Sequence, residues 1–381
     1  MKKICFVATI PAVVNSFLKE HIQASSQKWQ VKIISNSVGA DLVTYQETQF
    51  ISLPIERKIS PWCDLLALVQ MVILFHKEQF DLIHSIMPKT GLLAMLSGWL
   101  IGVPYRIHTF TGQVWANKKG LKRSLLKLFD KLIVLFATHI LVDSPSQRDF
   151  LVSEGVLPQG KGIVIGHGSI CGINEVQFHP DPKAKNSVRA ELNIALDQAV
   201  ILFLGRLNHD KGILDLAAAF TDIASKRTDV LLVLVGAEED VTFTHVQDLC
   251  GEHRERLRSV CFTANPEHYM AAADIFCLPS YREGFGQVII EAAACGVPAV
   301  ASRIYGITDA LEDGKTGFLF PAGDVTALTQ ELLKLIFDRE LCRKMGEAAR
   351  LRALELFPSQ KITEEMIALY SGLLAKTSSL P

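Results

Sequence analysis

Residues 274–302 read DIFCLPSYREGFGQVIIEAAACGVPAVAS, and the order of the parts in this stretch decides how the chain folds. DIFCLPS is a short apolar run without alternation, the pattern of a strand buried on both faces. YREGFG is a glycine loop. QVIIEAAAC then reads as an apolar helix, stopped by Gly296 and Pro298, and PAVAS is a second buried strand. Strand, helix and strand in that order make a parallel pair joined by a crossover.

The same alternation extends outward from this unit. The first half of the chain offers strands at KICFVAT, VKIIS, DLIHS, YRIHTF, HILVDS and GIVIGHG, with helices at 12–27, 61–78, 88–101 and 120–137. The second half offers AVILFLGRL, VLLVLVG, SVCFTA, DIFCLPS, PAVAS and GFLF, with a long helix at 324–356. Alternation on this scale is doubly wound α/β. It pauses between Gly172 and Asp197, where INEVQFHPDPKAKNS is polar and Pro-bearing, as an interdomain linker is. A single core rarely grows past roughly 250–300 residues, and this chain has 381, of which 49% are hydrophobic. The expectation is two facing Rossmann-like domains at 1–180 and 190–357, followed by an amphipathic helix at 358–378.

Net charge is −1, which gives no global basic field and excludes nucleic acid as an expected partner. Residues 1–180 carry 18 Lys/Arg against 12 Asp/Glu and the remainder 21 against 28, so a basic half precedes an acidic one. The eight cysteines form no Cys-x-x-Cys pair, and Cys5, Cys261 and Cys277 lie in strand-like runs. They read as buried thiols of a reducing compartment, without zinc or disulfides. The start, MKKICFVATIP, reads as a first strand and not a signal peptide. The apolar windows 91–104 and 132–142 fall short of the roughly 18–20 residues of a spanning helix, so the expected location is cytoplasmic.

In a doubly wound fold, ligands sit beyond the carboxyl ends of the strands. Two loops there hold polar side chains. In the first, Gly284 and Gly286 let backbone approach a ligand, and the following helix start attracts an anion. Glu291, one turn into that helix, suits two vicinal hydroxyls such as those of a ribose, and Glu283 stands before it. In the second loop, FLGRLNHDKG, Arg206 and Lys211 leave the first strand of the second half, spaced to meet one diphosphate as a planar fork and a point charge. Taken singly, each of these residues also reads as an ordinary solvated surface charge. Their joint placement favours a site.

The arrangement G-R-x4-K-G followed by E-G-F-G-x4-E-A-x-A-C-G-x-P resembles the nucleotide-sugar glycosyltransferases of family 4, which are retaining and have the GT-B fold. The first half, DLIHSIMPKTGLLAMLSGWLIGVPYRIHTFTG, looks like that family's acceptor domain and puts Pro11, His84 and Lys89 on the acceptor side. The final FPSQ…ALYSGLL looks like its crossover helix. The resemblance implies that Arg206 and Lys211 bind the donor diphosphate, Glu291 the ribose and Glu283 the transferred sugar. Gly205, Gly284, Phe285, Gly286 and Gln287 would line the donor. No cofactor is expected and no metal, because the two cations and the helix end can neutralise the leaving diphosphate. One departure stands out. The family's T-x-H-G pattern is here HTFTG, so Thr111 replaces a histidine that serves the donor sugar's primary hydroxyl, with His108 three positions earlier. The substitution points to a UDP-N-acetyl amino sugar, 6-deoxy or otherwise modified at that carbon; the alternative is that His108 swings in and a common N-acetylhexosamine is used, and His108 also reads as a strand core residue.

A third feature is WANKKGLKRSLLKLFDKLIVLFA, 115–137. Trp115, Lys118, Lys119, Lys122, Arg123, Lys127 and Lys131 beside a Leu/Phe face read as a basic amphipathic helix suited to an anionic membrane surface. A peripheral enzyme at the inner face of the cytoplasmic membrane, acting on a polyprenyl-diphosphate saccharide, is the expectation. The competing reading is an ordinary helix with a solvated basic face. Other functions remain open on sequence: a sugar-nucleotide epimerase of similar fold, or a non-catalytic nucleotide-sugar-binding protein at the membrane. GHGSICG (166–172) lacks the Gly-x-Gly-x-x-Gly spacing of a dinucleotide oxidoreductase.

Overall fold

The computed structural model describes residues 1–36, 48–56 and 60–376. The chain divides into two compact units, Met1–Gly172 with Ser359–Pro381, and Ile173–Pro358.

Unit 1 runs β1 (Lys3–Val7), α1 (Pro11–Val13), α2 (Lys19–Ser26), β2 (Gln30–Ser35), β3 (Thr48–Ser52), α3 (Pro61–Glu78), β4 (Leu82–Ile86), α4 (Pro88–Leu100), β5 (Tyr105–Phe110), α5 (Gly120–Phe136), β6 (His139–Val142), α6 (Pro145–Ser153) and β7 (Ile163–Val164). Its strands form one parallel sheet in the order β3-β2-β1-β4-β5-β6-β7. Side chains from α3, α4 and α5 build the core on one face of the sheet, and those of α2 build the core on the other. The strand β3 was not expected. Its sequence, TQFIS, holds two adjacent apolar residues among polar ones and is nowhere fully buried, because it is the sheet's edge.

Unit 2 runs α7 (Pro182–Glu191), β8 (Ala199–Leu204), α8 (Ile213–Lys226), β9 (Val230–Val235), α9 (Phe243–Cys250), β10 (Leu257–Val260), α10 (Pro266–Ala272), β11 (Ile275–Leu278), α11 (Gln287–Ala294), β12 (Ala299–Ser302), α12 (Ile307–Ala310), β13 (Gly317–Phe320), α13 (Val325–Phe337) and α14 (Arg339–Leu356). The sheet order is β10-β9-β8-β11-β12-β13, all parallel. Every residue of β9 and β11 is buried, which accounts for their unbroken apolar sequences. The strand order reverses between β8 and β11, and such switch points open a crevice at the strands' carboxyl ends.

Three boundaries differ from the sequence expectations. The polar linker contains α7, capped by the Asp181 carboxylate, which accepts from the Lys183 and Ala184 amides. The long helix at 324–356 is two helices, because Asp338 breaks it and caps the second one at the Leu341 amide. The sequence also puts Cys261 in a strand, whereas it lies beyond the end of β10 and is exposed.

The final helix, α15 (Ser359–Lys376), returns to unit 1 and packs on α2. The last two residues expected in it, 377 and 378, lie outside the described residues. Two buried histidines receive it. His21 meets Ile170 O at 2.6 Å and Thr363 Oγ1 at 3.2 Å, while His84 meets Tyr370 OH at 2.5 Å.

Candidate active site

The site in unit 2 is built by the loops after β8 and β11. Gly212 fixes how closely they approach. Its φ of +67° is left-handed, and a Cβ there would stand 2.0 Å from Pro279 O, so only glycine lets the loop after β8 lie against the end of β11. Two further contacts bind the loops together: Tyr281 N donates to Asp210 O at 2.9 Å, and Arg282 pairs with Asp210 at 3.2 Å. Tyr281 OH also donates to Asp215 Oδ2 on α8 at 2.6 Å.

This closure joins the two motifs. Lys211 Nζ lies 2.5 Å from Glu283 Oε1, and Ser280 Oγ donates to the same oxygen at 2.7 Å. Arg206 Nη1 meets both oxygens of Glu239 at 2.5 Å, and Asn208 Nδ2 donates to Glu239 Oε2 at 2.6 Å. Both cations expected to meet a diphosphate are therefore held by carboxylates. Such charge-assisted contacts keep the cations oriented. Glu239 was missed in the sequence, although it follows β9 at the carboxyl-end position where function concentrates. Ser280, Asn208 and Asp210 were missed too, because single small polar residues in a loop carry no signal of their own.

Gly286 ends the loop, and Gln287 opens α11. Gln287 Nε2 donates to Glu291 Oε1 at 3.0 Å. Burial pushes the Glu291 carboxyl up to about 7, against the pull of the Gln287 hydrogen bond and with a smaller push from the charge of Glu267. Phe285 differs from expectation. Its ring is buried and packs edge-on against Phe357 at 5.2 Å, so the side chain anchors the loop.

The expectations for unit 1 change more. His108 is fully buried on β5; its Nδ1 meets Ser85 Oγ at 2.9 Å, and its ring lies edge-on to Phe110. A Cβ on Gly91 would come within 2.3 Å of its Cε1, so α4 seals the ring in. His108 is a core residue, its imidazole driven down to about 3 by burial. Thr111 is half-buried just beyond β5, before Gly112. His84, expected on the acceptor side, is also core, with Thr109 Oγ1 2.7 Å from the nitrogen that Tyr370 leaves open. Lys89 is ion-paired with Asp64, and Pro11 is buried as the first residue of α1.

The membrane set separates into two groups. Trp115 is fully buried, donates to Asp130 Oδ2 at 2.7 Å and stacks on Phe150 at 5.4 Å. Arg123 and Lys127 lie over its ring and both pair with Glu154 at 2.7 Å. These three residues are internal structure and not an anchor. Lys119, Lys122 and Lys131 are exposed, and Lys118 is half-buried. No described helix is long and apolar enough to cross a membrane.

Comparison with known proteins agrees with both units. Residues 184–352 match the family described as glycosyl transferases group 1, and residues 23–168 match a glycosyl transferase 4-like domain. The chain is 32% identical over 346 residues to the capsular polysaccharide biosynthesis glycosyltransferase CapM of Staphylococcus aureus, covering 90% of each. The chain belongs to glycosyltransferase family 4. It is also 25% identical, over 89% of each chain, to the Escherichia coli UDP-Gal:alpha-D-GlcNAc-diphosphoundecaprenol alpha-1,3-galactosyltransferase. The fold is that of Anabaena HepE, solved with UDP and glucose, at a TM-score of 0.80 and 19% identity over 97% of this chain and 100% of that one. Each unit of this glycosyltransferase is thus one Rossmann-like half of a GT-B enzyme, with α15 as the helix that crosses back.

Proposed function

We propose that this glycosyltransferase moves a sugar, with retention of anomeric configuration, from a UDP-N-acetyl amino sugar to a polyprenyl-diphosphate-linked saccharide during surface glycan assembly. The observation that carries the reading is the Lys211–Glu283 contact at the β8/β11 switch point, with Arg206 beyond the same strand. The diphosphate displaces Glu239 from Arg206 and Glu283 from Lys211, and the freed Glu283 turns to hydroxyls of the transferred sugar. Glu291 accepts from the ribose. As the bond from the anomeric carbon to the diphosphate breaks, negative charge collects between the two cations, which stabilise it without a metal ion. The galactosyltransferase, named for a diphosphoundecaprenol-linked acceptor, and CapM, named for capsular polysaccharide biosynthesis, are both similar over most of their length and support the class of acceptor.

The donor follows from Thr111. Thr111 stands where the family has a histidine for the donor sugar's primary hydroxyl, and His108 is buried on β5, which supports a donor that needs no hydroxyl at its sixth carbon. We infer a 6-deoxy or otherwise modified amino sugar. The test is UDP release and product mass with paired 6-hydroxy and 6-deoxy UDP-N-acetylhexosamines and a polyprenyl-diphosphate saccharide. Faster turnover of the 6-deoxy donor is expected; a clear preference for the 6-hydroxy donor contradicts the donor assignment. Sugar modification without transfer to the acceptor contradicts the whole reading. Activity abolished by chelator and restored by magnesium or manganese contradicts the metal-free mechanism.

A further inference from the structure

Unit 1 carries an apolar outer face. On α3, Trp62, Leu65, Leu66, Val69 and Ile73 are all exposed, Trp62 by 83% and Ile73 by 62%. Their positions i, i+3, i+4, i+7 and i+11 form one stripe along the helix, and no charged side chain lies between Asp64 and His76. The helix therefore buries one apolar face and presents another. It packs against α4, which ends in the exposed Trp99 and Leu100, and α4 packs against α5. On α5 the outward positions are Leu121, Leu125, Leu128 and Leu135, with Leu121 86% exposed. A surface patch on this scale marks an interaction site.

The charges around it select the partner. Lys77, Lys119, Lys122 and Lys131 are exposed at the end of α3 and on or just before α5. The four acidic side chains from residue 60 to 140 are all engaged within unit 1: Asp64 with Lys89, Glu78 with Lys32, Asp81 with Lys2, and Asp130 with the Trp115 indole. An apolar face bordered by lysines, with its acids withdrawn, complements an anionic bilayer. A second copy would bring the same lysines against these. Tryptophan at the edge of such a face suits the membrane–water interface.

We propose that the outer face of α3 and α5 docks on an anionic bilayer, with Trp62, Leu66 and Ile73 entering the boundary between headgroups and acyl chains. The inference rests on the proposed glycosyl transfer only in that a lipid-linked acceptor would lie in the same bilayer. It gives α3 the inserting role and leaves α5's lysines the electrostatic one.

The test uses the full chain and vesicles of phosphatidylcholine with or without phosphatidylglycerol. Wild type is expected to sediment with the phosphatidylglycerol vesicles, less so as salt rises. The triple variant Trp62→Ser/Leu66→Ser/Ile73→Ser should bind them about tenfold or more weakly, since each exposed side chain loses its apolar transfer. Trp62→Phe should keep binding but lose the larger part of the vesicle-induced blue shift of tryptophan emission, since Trp99 is less exposed. An unchanged thermal shift with UDP verifies that the variants are folded. Equal sedimentation of wild type and triple variant overturns the proposal. So does a wild type that ignores vesicles and runs as a dimer which the triple variant makes monomeric. Transfer to a short water-soluble acceptor, measured alongside, separates the two readings: persistent transfer without vesicle binding rejects the docking face alone, and vesicle binding without any transfer rejects the enzymatic reading alone.

Discussion

Lys211 and Glu283 share a 2.5 Å ion pair although 72 residues separate them in sequence, and Ser280 holds the same carboxylate oxygen. The pair joins the donor motif after β8 to the one after β11. It also makes a directional prediction. Glu283→Ala releases Lys211 for the diphosphate while removing a contact to the moving sugar. Turnover should fall strongly with UDP affinity unchanged or tighter, as read by steady-state kinetics and calorimetric titration. An equal loss in both quantities would show that Glu283 serves the nucleotide.

Arg206 and Glu239 form an exposed pair, and such pairs contribute about 0.2–1 kcal/mol. Removing the competing charge with Glu239→Gln should tighten UDP binding by up to about fivefold, most visibly at low salt. A weaker affinity for UDP in that variant would mean that Glu239 itself touches the donor.

Glu291 gives the site a pH dependence. Its carboxyl titrates at about 7 because of burial, and only the charged form accepts both ribose hydroxyls. UDP affinity should rise between about pH 6 and about pH 8, by up to about tenfold per unit below the pKa, and the part of that rise lost in Glu291→Gln is this group's. The stability effect has the opposite sign. A carboxyl raised in the folded state contributes stability that is present below its unfolded value of about 4.3 and is lost as pH rises through about 7. Identical pH profiles for wild type and Glu291→Gln would remove Glu291 from the ribose.

The Tyr370 hydroxyl bonds the buried His84 and fastens α15 to unit 1. Tyr370→Phe leaves a buried ring nitrogen unsatisfied, at a cost of about 1–3 kcal/mol; the loss is measured by denaturant unfolding of unit 1. Burial holds His84 and His108 down to about 3. Depressed histidines favour folding at neutral pH, and that contribution is lost as pH falls from about 6.5 toward about 3. Unchanged stability in Tyr370→Phe would place the helix's anchorage elsewhere.

The fold was legible because parallel strands covered on both faces are continuous apolar runs. Of the thirteen strands among the described residues, the one missed, β3, is a half-exposed edge strand whose polar positions hide it. In the loops after β8 and β11, glycine and charge spacing carried enough signal to single out Arg206, Lys211, Glu283 and Glu291, of which the structure pairs Lys211 with Glu283. Sequence could not tell which way a strand histidine points. His84 and His108 occupy adjacent strands near their carboxyl ends, where a ligand was expected, yet one faces α15 and the other α4. Trp115 misled for a similar reason. A tryptophan beside lysines reads as a membrane anchor until its indole is seen on a buried aspartate, while the most exposed tryptophan, Trp62, belongs to α3, whose evenly apolar sequence reads as core.

The donor site is tested most directly by the rate of sugar transfer from a UDP-sugar in Arg206→Ala and Lys211→Ala, with folding verified by thermal unfolding. Each variant should transfer about 10²–10³-fold more slowly than wild type, the scale for removing one stabiliser of charge developing in the transition state. Near-wild-type rates in both folded variants would contradict a diphosphate held at the carboxyl ends of β8 and β11.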